Sequence, residues 1–156
     1  MPNLDVVIPA PDIDAATEGA RIRKIAMYSE ITRSIKVTVR PFYLDQHSSP
    51  AEDHYVWAYH VRIENKGGET VQLRNRHWQI TDANGRLQEV RGPGVVGEEP
   101  VLKPGEHFEY TSSCPLPTPS GLMMGDYEME TPGGERFLIR VPAFSLDSPQ
   151  ETRRLN

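Results

Sequence analysis

The sequence predicts an all-β protein, an antiparallel sandwich of about seven short strands. Apolar residues recur at every second position in several segments, which is the period of a half-buried strand. Turn signals separate these segments at regular intervals, with 14 prolines and 12 glycines in 156 residues. No segment shows a convincing helical period. Short strands in this pattern form a sandwich or a barrel, and we favour the sandwich.

The first predicted strand begins at Ile35. Apolar and polar residues alternate over residues 35–40, which places the apolar set on one face. Pro41 then shifts the phase. We therefore expect Phe42 and Leu44 to continue the apolar side through a bulge or a bend.

The second predicted strand, residues 55–64, has the cleanest alternation in the chain. Its odd-numbered positions are all large and apolar, including Trp57 and Val61, whereas His60 lies with the polar set. The odd-numbered side chains are therefore expected to face the interior, since aromatic residues at alternating positions are typical of a sandwich core.

The third predicted strand follows a turn at residues 65–68. Its apolar phase slips across the letters RNRH, because Leu73 and Trp78 have opposite parity, and this predicts a bulge. A tight hairpin is predicted at residues 82–85, since Asn84-Gly85 accepts the positive φ angles of a primed turn. The hairpin leads into a fourth strand.

Three more strands are predicted towards the C-terminus. Residues 107–112 alternate, with Phe108 and Tyr110 on one side. The segment CPLPTPSG, residues 114–121, is expected to be a crossing loop because its three prolines exclude a central strand. DYEMET and RFLIRV then form a hairpin around residues 131–134.

Length and composition indicate one domain. We place it at residues 21–146, between a flexible acidic extension (residues 1–20) and a polar tail (residues 147–156). A net charge of -5 argues against nucleic acid as a partner. The single cysteine, Cys114, and the lack of a signal peptide or membrane span predict a soluble cytoplasmic protein, monomeric or homodimeric.

Several segments occur in a specific order and spacing: RHW, ITDANG, VRGPGVVGEEP, LKPGEHFEYTS and PLPTPSG. Together they resemble the ApaG family, within a match from about residue 24 to residue 146. The resemblance implies an immunoglobulin or fibronectin type III-like sandwich. It also implies a partner-recognition role, by analogy with such domains in eukaryotic F-box proteins, and a genetic link to cobalt and magnesium tolerance. The acidic extension departs from the usual family member.

The segment GPGVVG, residues 92–97, has the glycine spacing of a dinucleotide fingerprint. It lies between strands, however, and Pro93, Glu98 and Pro100 oppose a phosphate site at a helix start. We therefore expect its glycines to serve a compact loop with positive φ angles. A weak site for an anionic small ligand stays open, because arginines surround the loop in sequence.

No catalytic or metal site and no cofactor is predicted. The five histidines lack the spacing that directs two imidazoles at one ion. Cys114 and His107 are an odd number of positions apart along a strand, hence on opposite faces. No nucleophile, base and orienting group can be named together.

We interpret the chain as a non-enzymatic binding module with a protein partner. The alternative is an accessory factor in metal tolerance, or a weak phosphate or nucleotide binder, that uses the glycine loop. The candidate binding residues form the main basic concentration of an acidic chain, with Asn75 in the same segment. They are Arg74, Arg76, His77, Arg91, Gly92, Gly94 and Gly97.

Overall fold

The structure, a computed structural model, describes residues 26–150. The predicted extension over residues 1–20 lies outside the described residues, as do residues 151–156 of the predicted tail. This part of the chain contains nine strands: β1 (Tyr28–Thr32), β2 (Ile35–Tyr43), β3 (Tyr55–Asn65), β4 (Val71–Asp82), β5 (Leu87–Pro93), β6 (Val101–Leu102), β7 (His107–Leu116), β8 (Ser120–Glu130) and β9 (Arg136–Asp147). Two single 3-10 turns, Asp45–His47 and Pro50–Glu52, lie between β2 and β3.

The strands form two antiparallel sheets, which confirms the predicted sandwich. Sheet I has the order β1-β2-β3-β7, and sheet II has the order β5-β4-β8-β9 with β6 also paired to β4. The seven predicted strands are all present. The sequence reading missed β1 and β6, because β1 has only five residues and β6 only two.

The core lies between the two sheets. The odd-numbered residues of β3 are buried as predicted, with Trp57 only 1% exposed. Trp78 of sheet II packs edge-on against Tyr59 of sheet I at 5.5 Å between ring centroids, and Tyr127 and Phe144 contact Trp78 similarly. The Trp57 indole donates to the Asp147 carbonyl at 2.9 Å, so its polar atom is satisfied inside the core.

The bulge or bend predicted at Pro41 is wrong. The β2–β3 register runs without a shift from Ile35 to Tyr43. Phe42 therefore lies on the outer face of sheet I, in a small second cluster with Leu44, Val56 and Ala58. Pro41 is tolerated because β1 pairs β2 only as far as Val39, so the proline lies beyond the last β1 partner.

The turn between β4 and β5 is a hairpin as predicted, but it is not a primed turn. Only Gly85 has a positive φ, +81°. The Asp82 N–H donates to the Arg86 carbonyl, and the Asp82 carboxylate accepts from the Asn84 and Arg86 N–H groups. The result is a three-residue loop, with glycine only at its left-handed position.

The crossing loop predicted over residues 114–121 is also wrong in extent. β7 continues through Cys114, opposite Trp57, and Pro115, opposite Val56. Only residues 117–119 connect β7 to β8. Pro115 is compatible with the strand because β7 is an edge strand, where a missing N–H costs no ladder bond.

Two sets of contacts close the sandwich. Asn65, 2% exposed, joins neighbouring turns: its side-chain amide donates to the Glu69 and Leu102 carbonyls, and its carbonyl oxygen accepts from Gly67 N–H. At the edge of sheet I that β1 forms, β1 contacts β9. There the Arg140 N–H donates to the Thr32 hydroxyl at 3.1 Å.

Candidate functional site

The pairing of β4 with β5 brings the predicted site residues together. His77 lies opposite Arg91, Arg76 opposite Gly92, and Asn75 opposite Pro93. The bulge predicted in β4 is confirmed, since the β4–β8 register shifts between Leu73 and Asn75. It directs Arg76 to the inner side and His77 to the outer side of sheet II.

Arg76 supports the glycine loop from beneath. Its Nη1 donates to the Pro93 carbonyl at 2.9 Å and to the Gly94 carbonyl at 3.0 Å. A Cβ atom on Gly92 would lie 3.0 Å from the guanidinium nitrogens. Arg76 therefore uses donors to fix the loop backbone, a structural role that the sequence did not reveal.

The loop glycines have the structural role predicted for them. Gly94 has φ +63°, and a Cβ atom there would lie 2.3 Å from the Glu98 carbonyl oxygen. Val95 and Glu98 exchange backbone hydrogen bonds of 2.8 and 2.9 Å, and Gly94 N–H donates to the Arg74 carbonyl. Val96 and Gly97 have φ +44° and +80°, which is a primed turn. Three loop N–H groups are thus used internally, and a phosphate cradle needs such groups free.

The remaining arginines have different environments. Arg74 Nε lies 3.4 Å from a Glu99 carboxylate oxygen and 3.7 Å from Glu130. Arg91 is exposed, and its side chain forms no ion pair within residues 26–150. Arg86 is exposed beside the hairpin turn, at the opposite end of β5 from the glycine loop. Of the three arginines in the predicted site, Arg74, Arg76 and Arg91, only Arg91 therefore presents an open cation within the described residues.

His77 lies at the centre of the outer face of sheet II, with 15% of its side chain exposed. Its Nε2 is 3.7 Å from Glu89 Oε1 and its Nδ1 is 3.8 Å from Asp126 Oδ2. The register places Arg91, His77, Asp126 and Arg140 side by side across four strands. Asp126 is the one acidic residue of this row, and the other three are basic.

Exposed leucines flank this charged row. Leu87 and Leu122, 60% and 38% exposed, both lie opposite Thr81, and Leu138, 58% exposed, lies opposite Glu128. Half-buried Met124 has the same parity as Leu122. The sequence analysis did not predict these exposed leucines. They lie on the outer, mostly polar face of sheet II, and they are brought near the charged row by the pairing of strands that are distant in sequence.

The outer face of sheet I carries a polar network that the sequence reading also missed. His60 Nδ1 is 2.9 Å from the Thr111 hydroxyl and its Nε2 is 3.0 Å from Glu109 Oε1. Glu109 is shared with Arg62 at 3.4 Å and His107 at 3.5 Å. The hydrogen bond from His60, followed by the nearby positive charges, lowers the pKa of Glu109. A hydroxyl, an imidazole and a carboxylate are in contact, but Glu109 already pairs with His60 and Arg62 of β3 and with His107 of its own strand.

The metal and cysteine hypotheses concern particular side chains of the described residues. Within residues 26–150 no three His, Cys, Asp or Glu side chains are placed to hold one metal ion. Cys114 is buried against Trp57, and burial raises the pKa of its thiol to about 12, which keeps the nucleophilic thiolate scarce. Nor does any helix in this part of the chain have the length and apolarity needed to span a membrane.

Comparison with known proteins gives consistent matches. The family model described as the ApaG domain matches residues 45–131. Protein ApaG from Rhodospirillum centenum is 72% identical over 130 residues, which cover 83% of this chain and all of that relative, and Protein ApaG from Paramagnetospirillum magneticum is 68% identical over the same extent. The crystal structure of an ApaA protein from Bordetella pertussis is 47% identical, with a TM-score of 0.73, and the match covers 78% of this chain and 99% of that one.

Proposed function

The chain belongs to the ApaG domain family, and we propose that it is a non-enzymatic module that binds a protein partner through the outer face of sheet II. The predicted fibronectin type III-like character fits this proposal, because rigid sandwiches present recognition groups on a stable frame. The fold alone does not identify a function, because one fold can host many unrelated functions.

One observation carries the proposal: the outer face of sheet II combines open cations with exposed apolar side chains. Arg91 and Arg140 form no side-chain ion pair within the described part of the chain, and three exposed leucines lie on either side of the row that contains them. Arginine and methionine are enriched at protein interfaces, and Leu87 and Leu122, which both lie opposite Thr81, form an exposed apolar pair of the kind found at interaction sites. The face needs no induced rearrangement, since its backbone is held in four paired strands.

Site-specific photocrosslinking in cells tests the proposal. A photoreactive amino acid at Leu122 should give discrete crosslinks to another protein. The matched control is the same group at Arg40, which is exposed on the outer face of sheet I. Equal crosslinks at both positions, or none at Leu122, would contradict the assignment.

The competing function, anion binding at GPGVVG, draws support only from the neighbouring arginines. The N–H groups of Gly94, Val95 and Glu98 are already engaged, which disfavours it. Calorimetry with ATP and inorganic phosphate decides between the two functions. Micromolar binding that is lost in Arg91→Ala would favour the anion site and, with it, the accessory role in metal tolerance.

A further inference from the structure

We propose that the free edge of β5 accepts an extended acidic segment of a partner protein as an additional strand of sheet II. The inference rests on the proposed protein-binding function and specifies its geometry. Among the described residues β5 is the terminal strand of sheet II, and all its odd-numbered side chains are exposed. Strand addition uses main-chain hydrogen bonds for affinity and side-chain contacts for selectivity.

The hydrogen bonds at the two ends of the β4–β5 ladder fix which groups of β5 are open. Asp82 N–H donates to the Arg86 carbonyl, and Gly94 N–H donates to the Arg74 carbonyl. Because hydrogen-bonded and non-bonded positions alternate in an antiparallel pair, the even-numbered residues between them face β4. The N–H and C=O groups of the odd-numbered residues therefore point away from the sheet. These residues are Leu87, Glu89 and Arg91.

The open edge has defined ends. At one end Pro93 has no N–H, and its carbonyl is occupied by Arg76 Nη1 at 2.9 Å. At the other end the hairpin turn begins at Arg86. Neither the described backbone nor a described side chain hydrogen-bonds the outward groups of Leu87, Glu89 and Arg91. The edge thus offers three consecutive outward residues, enough to dock a short strand.

Charge selects the occupant. Arg86 and Arg91 bracket the edge, are exposed and form no ion pair within residues 26–150. Glu89 is turned towards its own sheet, with Oε1 3.3 Å from the Gln79 amide and 3.7 Å from His77. The edge therefore presents two open cations in a chain of net charge -5. A strand that carries carboxylates is complementary to it, whereas basic segments are repelled.

Amide hydrogen exchange in the full chain is the first test. Without added peptide, the amides of Leu87, Glu89 and Arg91 should exchange at least about tenfold faster than those of Gln88 and Val90. Protection that is independent of protein concentration would overturn the proposal in favour of a segment of this chain outside residues 26–150. Protection that grows with concentration would overturn it in favour of a second copy.

Peptides selected from a random phage-displayed library are the probe for the second test. We expect them to be acidic, to protect the three outward amides, and to bind more weakly when their carboxylates become amides. Selected peptides that are basic, or that leave these amides unprotected, would overturn the proposal, as would a library that yields no binder.

Glu89→Pro separates strand addition from other uses of the face. It removes an outward N–H without removing a β4 hydrogen bond, and Glu89→Ala is its matched control. Peptide affinity should fall at least about tenfold in Glu89→Pro and stay within about twofold in Glu89→Ala. If affinity survives Glu89→Pro but is lost in Leu122→Asp, the proposed function stands and strand addition is wrong. If neither variant changes affinity, both are wrong.

Discussion

The outer faces of the two sheets differ in how their surface groups are satisfied. On sheet I, Phe42 belongs to an apolar cluster that is buried although it lies outside the main core, and Glu109 joins three basic side chains. On sheet II, Leu122 is exposed, and Arg91 and Arg140 have no ion-pair partner within the described residues. The surface groups of sheet I therefore contact one another, whereas those of sheet II can contact another molecule.

The same contrast separates two neighbouring arginines of the predicted site. Arg76 contacts loop carbonyls and is part of the fold, whereas Arg91, one strand away, faces solvent. A basic cluster in sequence therefore mixes structural and available charges. Substitutions on the two faces should separate these roles by their cost in stability.

The largest effect is expected from Phe42→Ala on sheet I. Phe42 is 8% exposed among Leu44, Val56 and Ala58, so the change should lower the free energy of unfolding by about 3 kcal/mol. Urea denaturation measures it. Leu138→Ala on sheet II is the matched control and should cost less than about 0.5 kcal/mol. Similar costs for both variants would remove the distinction between the faces.

Arg76→Ala should come next, at about 2 kcal/mol. The change removes two charge-assisted hydrogen bonds to the Pro93 and Gly94 carbonyls. Thermal unfolding measures the loss, and faster amide exchange in the glycine loop should accompany it. Stability within about 0.5 kcal/mol of the parent would show that the guanidinium does not hold the loop.

Glu109→Gln should cost about 1 kcal/mol at neutral pH, because the pairs it breaks are partly exposed. The fold lowers the pKa of Glu109 below its ordinary 4.5, so the ionised carboxylate stabilises above that pH. This contribution is lost as pH falls through the lowered pKa. The stability difference between parent and variant should therefore shrink below pH 4.5. A difference that grows in acid would reverse the sign of the linkage.

Arg91→Ala should have the smallest effect on folding, within about 0.5 kcal/mol, since the side chain is exposed. Its effect should instead fall on partner capture, measured as photocrosslink yield from Leu122. Arg40→Ala on sheet I serves as the control and should leave that yield unchanged. Loss of yield in both variants would point to a nonspecific charge effect.

Local sequence patterns predicted most of the strands and turns of the sandwich. The alternation in β3, the phase slip in β4 and the glycines of the 92–97 loop each carried enough information to predict their structure. β1 and β6 were too short to show a period. Pro115 misled the prediction, because a proline excludes a central strand but not an edge strand, and strand order is not visible in a single segment.

The candidate site was less predictable for a related reason. Arg76 and Arg91 are equivalent as sequence characters, and only the β4–β5 register directs one to the loop and the other to solvent. Leu87 of β5 and Leu122 of β8 lie near each other because both strands pair with β4 at Thr81. Such groupings depend on long-range pairing, whereas the glycine geometry of residues 92–97 is local.

The junction of β1 and β9 has a consequence for how the chain reaches this state during synthesis. The bond between Arg140 and Thr32 joins positions 108 residues apart, and the Tyr28 and Phe144 rings meet across the same junction. A nascent chain that still lacks β9 leaves β8 without its outer neighbour and exposes the core. Closure therefore waits until β9 has been synthesised, and a chain that stops before β9 exposes apolar surface that favours aggregation.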